Sequence, residues 1–300
     1  MERRFLPSIK KIVFIASFFL VSFTNLSRAV DLPVMSQPKV RHVIAKGEKY
    51  FGELVLSNPS SETRSIRLYL EDWRYAPGAD GAKEFFPAGS TQRSCAPWIK
   101  FTPQEFILPP QAQQKIHYTI SVPDKDVEGG YYAVLFHETV FGQAEPAKED
   151  RAAIDLTVRV GTIVYVEIKG ATKREGIIDN LSVEREPYKN RLEIELDVKN
   201  TGNVDITAGG TFHVIDKKGV VYARSGFNKA YTFPGDTAKL KANWDIHNEP
   251  IPEGAYDMVV TVDIGKAQEE AGLGRGPIIT KEAEIEFGYN GKVNRVGQLK

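Results

Sequence analysis

Leu54-Val55-Leu56-Ser57-Asn58-Pro59 is an alternating apolar run that stops at an asparagine turn, and Leu196-Asp197-Val198-Lys199-Asn200-Thr201-Gly202 repeats that punctuation later in the chain. Each copy continues in the same order. A proline-led turn follows, Leu108-Pro109-Pro110 in the first copy and Phe233-Pro234-Gly235 in the second. A glycine-tyrosine step then opens a late strand, Glu128-Gly129-Gly130-Tyr131 in the first and Glu253-Gly254-Ala255-Tyr256 in the second. Pro109 to Gly130 is 21 positions and Pro234 to Gly254 is 20. Alternating runs broken at turn residues on a repeated schedule predict two antiparallel β-sandwiches in tandem, an all-β, immunoglobulin-like architecture.

Residues 1–29 read as a leader rather than as fold. Arg3, Arg4, Lys10 and Lys11 precede the 12-residue apolar run Ile12–Phe23, which has the length of a signal h-region and falls short of a comfortable bilayer span. Ser27-Arg28-Ala29 sets small residues where a signal peptidase reads, so cleavage after Ala29 is expected; the rival reading is an uncleaved anchor. Removing 29 of the 300 residues takes five of the 39 basic and one of the 39 acidic side chains, leaving 271 residues with 34 basic against 38 acidic groups, a net charge of −4. That mild acidity speaks against nucleic acid or an anionic membrane as partner, and no second apolar stretch has the length of a membrane span. The expected location is outside the cytoplasm, in the periplasm, with the cell surface as the alternative. An apolar content of 42% supports folded cores. Cys95 is the single cysteine, so no intrachain disulfide can staple either sandwich.

The expected organisation is a first sandwich over 30–169, a polar linker over 170–176, a second sandwich over 177–288 and a frayed tail over 289–300. Phe51–Leu56, Arg64–Leu70, Lys115–Val122 and Tyr131–Phe136 are the clear period-two segments of the first unit, separated by Asn58-Pro59, Pro77-Gly78, Asp80-Gly81, Pro109-Pro110 and Gly129-Gly130. Between Trp73 and Trp98 the pattern loses regularity. Trp73, Tyr75, Phe85, Phe86 and Trp98 in that stretch either form an exposed contact platform or plug the sandwich edge. In the second unit the strands expected are Ile177–Val183, Arg191–Val198, Gly210–Ile215, Val220–Ala223, Lys239–Trp244, Ala255–Ile264 and Ile278–Phe287. Tyr256 after Gly254 suggests a tyrosine corner, with Tyr131 or Tyr132 as its counterpart, and the glycines of Ala267–Pro277 suggest a flexible hairpin tip.

Arg41, the Gly47 turn, the Leu54–Asn58 strand, Asp72-Trp73, Trp98-Ile99 with Pro103, Leu108-Pro109, Pro123 and Gly130-Tyr131 resemble, in order and spacing, the N-terminal domain of PapD-like periplasmic chaperones. The resemblance covers the first unit well and the second in outline. It implies two immunoglobulin-like domains and a role in pilus assembly of the chaperone–usher type. It also implies a basic pair in the interdomain cleft that anchors a client's terminal carboxylate. Arg41 stands where the first member belongs; the second falls near Gly161-Thr162, where no lysine is found, and Arg159 is the nearest cation. The matching last strand in that family lends alternating apolar side chains to an incomplete client. Ile154, Leu156, Val158 and Val160 are the corresponding positions here. An ordinary core strand predicts the same alternation. After Gly161 the apolar residues Ile163, Val164, Tyr165, Val166 and Ile168 no longer keep one face, so one strand over 153–169 is expected to divide its length between a partner and the core.

Nothing points to catalysis. His42, His117, His137, His213 and His247 are scattered without metal-ligand spacing, no Gly-x-Ser-x-Gly elbow occurs, and neither a cofactor nor a metal is expected. Two functional readings follow. One is a chaperone-like protein that holds a β-rich exported client by strand addition, using Ile154, Leu156, Val158 and Val160 with Arg41 and Arg159. The other is an envelope or surface protein whose aromatics bind glycan, peptidoglycan or another surface protein.

Overall fold

The computed structural model describes residues 31–77, 81–141, 156–186, 189–246 and 251–300. The leader expected over 1–29 and Ile154 lie outside them. The first sandwich is built from β1 (Val34–Met35), β2 (Lys39–Ile44), β3 (Lys49–Ser57), β4 (Arg64–Tyr75), β5 (Lys83–Pro87), β6 (Ile99–Thr102), β7 (Glu105–Leu108), β8 (Gln113–Ser121), β9 (Gly130–Phe141) and β10 (Leu156–Ile168). One sheet runs β1-β3-β8-β6 and faces a second that runs β2-β10-β9-β4-β5, with β7 also on β4. The second sandwich holds β11 (Gly176–Arg185), β12 (Arg191–Asn200), β13 (Ile206–Asp216), β14 (Val221–Gly226), β15 (Ala230–Thr232), β16 (Thr237–Asp245), β17 (Gly254–Ile264), β18 (Ile278–Phe287) and β19 (Val293–Val296). Its sheets are β11-β12-β16 and β14-β13-β17-β18-β19, with β15 on β13.

The repeated punctuation is the same device built twice. Asn58 is 1% exposed; its amide donates to the carbonyls of Glu62, Leu108 and Pro109, and its Oδ1 accepts from the Ser60 amide and hydroxyl. Asn200, also 1% exposed, donates to the carbonyls of Val204 and Thr232 and accepts from the Gly202 amide. In both copies the proline turn closes beside the asparagine. Ala112 N donates to Pro109 O and Asp236 N to Phe233 O, and each turn takes the asparagine's own N–H, on Ala112 O and Asp236 O. The turns need a left-handed third residue, which is Gly235 (φ 85°) in one and Gln111 (φ 58°) in the other. A side chain that satisfies buried carbonyls from two loops cannot be replaced by an apolar one without orphaning them.

Each sandwich has its own apolar core. Leu54, Leu56, Ile66, Leu68, Ile116, Ile120, Ala133, Leu135, Val164, Val166 and Ile168 fill the first. Leu192, Ile194, Leu196, Val198, Phe212, Val214, Met258, Val260, Val262 and Ile285 fill the second. Buried Cys95 belongs to the first core, where burial pushes its thiol above the usual range. Tyr256 forms the expected corner through its hydroxyl to Pro252 O at 2.9 Å. Tyr131 and Tyr132 form no counterpart, since Tyr131 stacks on Trp98 and the Tyr132 hydroxyl accepts from Asp205 N. The polar stretch between β10 and β11 carries no strand, and within it Arg174 is buried against Glu167. Two expectations are corrected. The 289–300 tail is not frayed, because β19 pairs with β18. The glycine-rich tip carries a helical turn over Lys266–Glu270.

Candidate functional site

β10 is one uninterrupted strand in register with β9 from Leu156↔Phe141 to Glu167↔Gly130. Its side chains therefore alternate faces throughout, and no residue changes sides at Gly161. Even-numbered residues face the first core, where Val164, Val166 and Ile168 are buried. Odd-numbered Ile163 and Tyr165 face the other way, into an aromatic cluster shared with the second sandwich. The second half of β10 is apolar on both faces because it has a core on each.

Its first half is different. Leu156 is 52% and Val160 39% exposed, and Val158 is half-buried, although all three sit on the core-facing side. Their β9 partners Phe141, Thr139 and His137 are buried. The cause is coverage. β2 pairs with β10 only from Ile163 to Ile168, and β1, the edge strand of the opposite sheet, is two residues long. The direction of the backbone groups follows from the bonds at the far end. Ile163 N and Lys169 N reach the β2 side, on Pro38 O and Ile44 O, whereas Ile168 N turns to Gly129 O. Odd-numbered residues thus point their N–H and C=O away from β9. Among the described residues no strand pairs that side of Thr157, Arg159 and Gly161, which leaves a row of donors and acceptors beside an apolar stripe.

The two candidate anchoring cations do not converge. Arg41 is in register with Tyr165, six residues along β10 from Arg159, or about 20 Å at strand rise. Arg159 ion-pairs with Glu71 at 2.8 Å and covers the Phe136 ring at 4.5 Å. Arg41 is neither a solvated edge cation nor a free anchor. Its NH1 and NH2 donate to both carboxylate oxygens of Asp205 at 3.3 and 2.9 Å, and its guanidinium lies 3.6 Å from the centre of the Tyr165 ring. Burial works against its charge, but attraction to and hydrogen bonding with Asp205 outweigh this and raise its pKa. Glu167, 3.8 Å from Arg41, is ion-paired with Arg174. Burial raises the Glu167 carboxyl above its ordinary value, and the Arg174 contact works against that rise. At Gly161 a lysine would clash: a Cβ there would lie 2.6 Å from Val134 Cγ2 and 3.0 Å from the Phe136 ring.

The five aromatics form no single platform. Trp73 is 1% exposed and is caged by Tyr75, Tyr132, Tyr165 and Phe233 at ring distances of 4.9 to 5.9 Å. Trp98 stacks on Tyr131 at 4.4 Å against the first core, and Phe85 sits edge-on to Phe136 at 5.0 Å. Tyr75 and Phe86 border a cleft of about 630 Å³ between the sandwiches, with Tyr231 and Asp236 opposite. The irregular stretch after Trp73 is organised by Asp72, which is fully buried and accepts from Gly89 N, Thr91 N and the Thr91 and Ser94 hydroxyls. Asp205, Glu167, Arg174 and Phe233 complete the junction, and sequence reading missed all four. Asp205 follows the Asn200 turn closely, but a partner 164 positions away leaves no local trace.

No family model matches the chain, and no curated protein matches it. Among solved structures it is similar to the class 5 fimbriae chaperone CfaA, at 14% identity over 84% of this chain and 98% of that one, with a TM-score of 0.43. It is similar to a chain of the Salmonella enterica SafA pilin–SafB chaperone complex at 12% identity, over 84% and 96%, with a TM-score of 0.40. It is similar to the E. coli chaperone DraB at 10% identity, over 90% and 98%, with a TM-score of 0.39. The likeness is one of fold.

Proposed function

We propose that this chain is a non-enzymatic, exported, chaperone-like protein that holds a β-rich client by strand addition, in envelope or pilus assembly. The observation that carries the reading is the first half of β10, an edge unpaired among the described residues, with Leu156, Val158 and Val160 turned toward open space. Strand addition requires this combination: backbone groups to extend the sheet, and every second side chain free to enter a client pocket. The rigid second half of β10 supports it further, because a strand fixed on both faces loses little freedom when a partner adds to it. The aromatic-platform reading has no comparable support, since Trp73 is enclosed.

The test is site-specific photocrosslinking in the periplasm from position 158, with exposed Ile107 on β7 as the control position. A client crosslinked at 158 through one of its own strand segments, absent at 107 and lost in Leu156→Asp/Val158→Asp with circular dichroism unchanged, is the expected result. Equal capture from both positions, or capture that survives the double substitution, overturns the proposal.

A further inference from the structure

We infer that Asp205 is a built-in carboxylate that closes Arg41 to clients, so that the β10 edge accepts a strand whether or not it ends in a free carboxylate. This inference rests on the strand-addition reading for its client and on the Arg41 geometry for its specificity. A guanidinium recognises a carboxylate best with two parallel N–H donors. Arg41 already commits NH1 and NH2 in this way, and one face of the group is covered by Tyr165. Its side chain is 15% exposed and that of Asp205 is 0% exposed. Arg41 and Arg174 are already matched by Asp205 and Glu167, and a third cation, Lys39 in register with Ile163, lies with its ammonium 5.9 Å from the centre of the same Tyr165 ring.

Asp205 cannot yield its place at low cost. It lies between fully buried Val204 and Ile206, and its amide donates to the Tyr132 hydroxyl at 2.6 Å. Displacement would leave a buried carboxylate without its cation, a penalty of roughly two to three and a half orders of magnitude in affinity. One new charge-assisted hydrogen bond returns about one to two. The path is obstructed as well. Gln37 O and Pro38 O take the Thr162 hydroxyl and Ile163 N, and β2 covers the β10 edge from Ile163 onward. A strand added beside Thr157–Gly161 meets this chain's own residues before it reaches Arg41. The client segment is therefore selected by its alternating side chains, and a strand internal to the client fits as well as a terminal one.

The experiment uses two probes on the full mature chain. The first is acetate, titrated while the Arg41 Nε–H resonance is followed by NMR. The second is an alternating Thr-Val peptide made as the C-terminal acid and as the amide. In the native protein acetate should give no saturable shift at Arg41, and the two peptides should bind within about twofold of each other. In Asp205→Asn acetate, which is small enough to enter, should shift Arg41 saturably, while the two peptides should still bind within about twofold of each other because Gln37, Pro38 and β2 keep the strand's end from Arg41. Saturable acetate binding at Arg41 in the native protein, or a tenfold preference for the acid there, overturns the inference. A folded Asp205→Asn protein that still ignores acetate overturns it too, since something other than Asp205 then closes the group. If Asp205→Asn does not fold, the native measurements decide alone. If neither peptide binds, strand addition fails while the acetate titration still judges Arg41.

Discussion

Replacing Phe233 with alanine should uncouple the two sandwiches without emptying either core. Phe233 belongs to the proline turn of the second sandwich, is 5% exposed, and has its ring 4.9 Å from Trp73, 4.2 Å from Tyr132 and 5.0 Å from Tyr75. Those partners all belong to the first sandwich. Burying an aromatic side chain removes roughly 150 Å² from water, about 4 kcal/mol at 25 cal/mol per Å². Phe-to-Ala substitutions in well-packed sites cost about 3–5 kcal/mol. Because the lost contacts cross the junction, the loss should fall on coupling. Urea denaturation followed by tryptophan fluorescence and by far-ultraviolet circular dichroism reads this directly. The native chain should give coincident transitions, and Phe233→Ala two separated ones, with hydrogen exchange accelerated at the amides of Ile163–Ile168. A loss below about 1 kcal/mol with transitions still coincident would refute the view that this cage holds the junction.

Gly161→Val should destabilise the chain by about 1–3 kcal/mol in urea melts, because its Cβ meets Val134 and Phe136 inside van der Waals distance; an unchanged midpoint refutes this. His137 makes stability fall in mild acid. Its Nε2 contacts Pro33 O at 3.1 Å, and since a carbonyl can only accept, that nitrogen carries the proton and buried Nδ1 is bare. Burial lowers its folded pKa below 6.5, so the unfolded chain binds the extra proton first. Stability should therefore decline as pH falls from about 6.5 toward the folded value, by at most about 1.4 kcal/mol per pH unit, and His137→Gln should flatten that slope. A slope that survives the substitution unchanged assigns the effect elsewhere, with half-buried His42, lowered in the same direction by burial, the next residue to replace.

What the sequence made legible was local. The Asn58 and Asn200 turns, the paired proline turns and the Tyr256 corner are decided by residues close in the chain or by turn chemistry that few residue types satisfy. The alternation of Leu156, Val158 and Val160 was visible, but not whether another strand covers them, because coverage depends on where β2 stops. The apparent change of face after Gly161 arose from reading apolar residues as belonging to one core. Tyr165 and Ile163 serve a second, and a strand between two cores is apolar throughout. Arg41 was legible as a cation at the right place, yet its state depends on Asp205 across the junction.

Among the described residues the first half of β10 presents an unpaired edge, and the junction holds the half of the strand beside it. Unprotected edges invite indiscriminate pairing, and proteins blunt them with charge, proline or cover. β16 follows the rule: it pairs only with β12 among the described residues, carries Lys239 and Lys241, and has its edge taken at Lys241 by Asn228. The first half of β10 does not, since its one cation, Arg159, is drawn to Glu71 on the face away from the apolar stripe. A strand left open in this way is useful only if it is held still. Asp205 and Phe233 of the second sandwich pack on Arg41 and Tyr165 and fix the other half of the same strand, so Leu156, Val158 and Val160 extend from a packed base. On the proposed strand-addition reading, the second sandwich contributes to binding through a strand with which, among the described residues, none of its own strands pairs. Loosening the cage at Phe233 should weaken client capture at position 158 even though the two sites share no side chain.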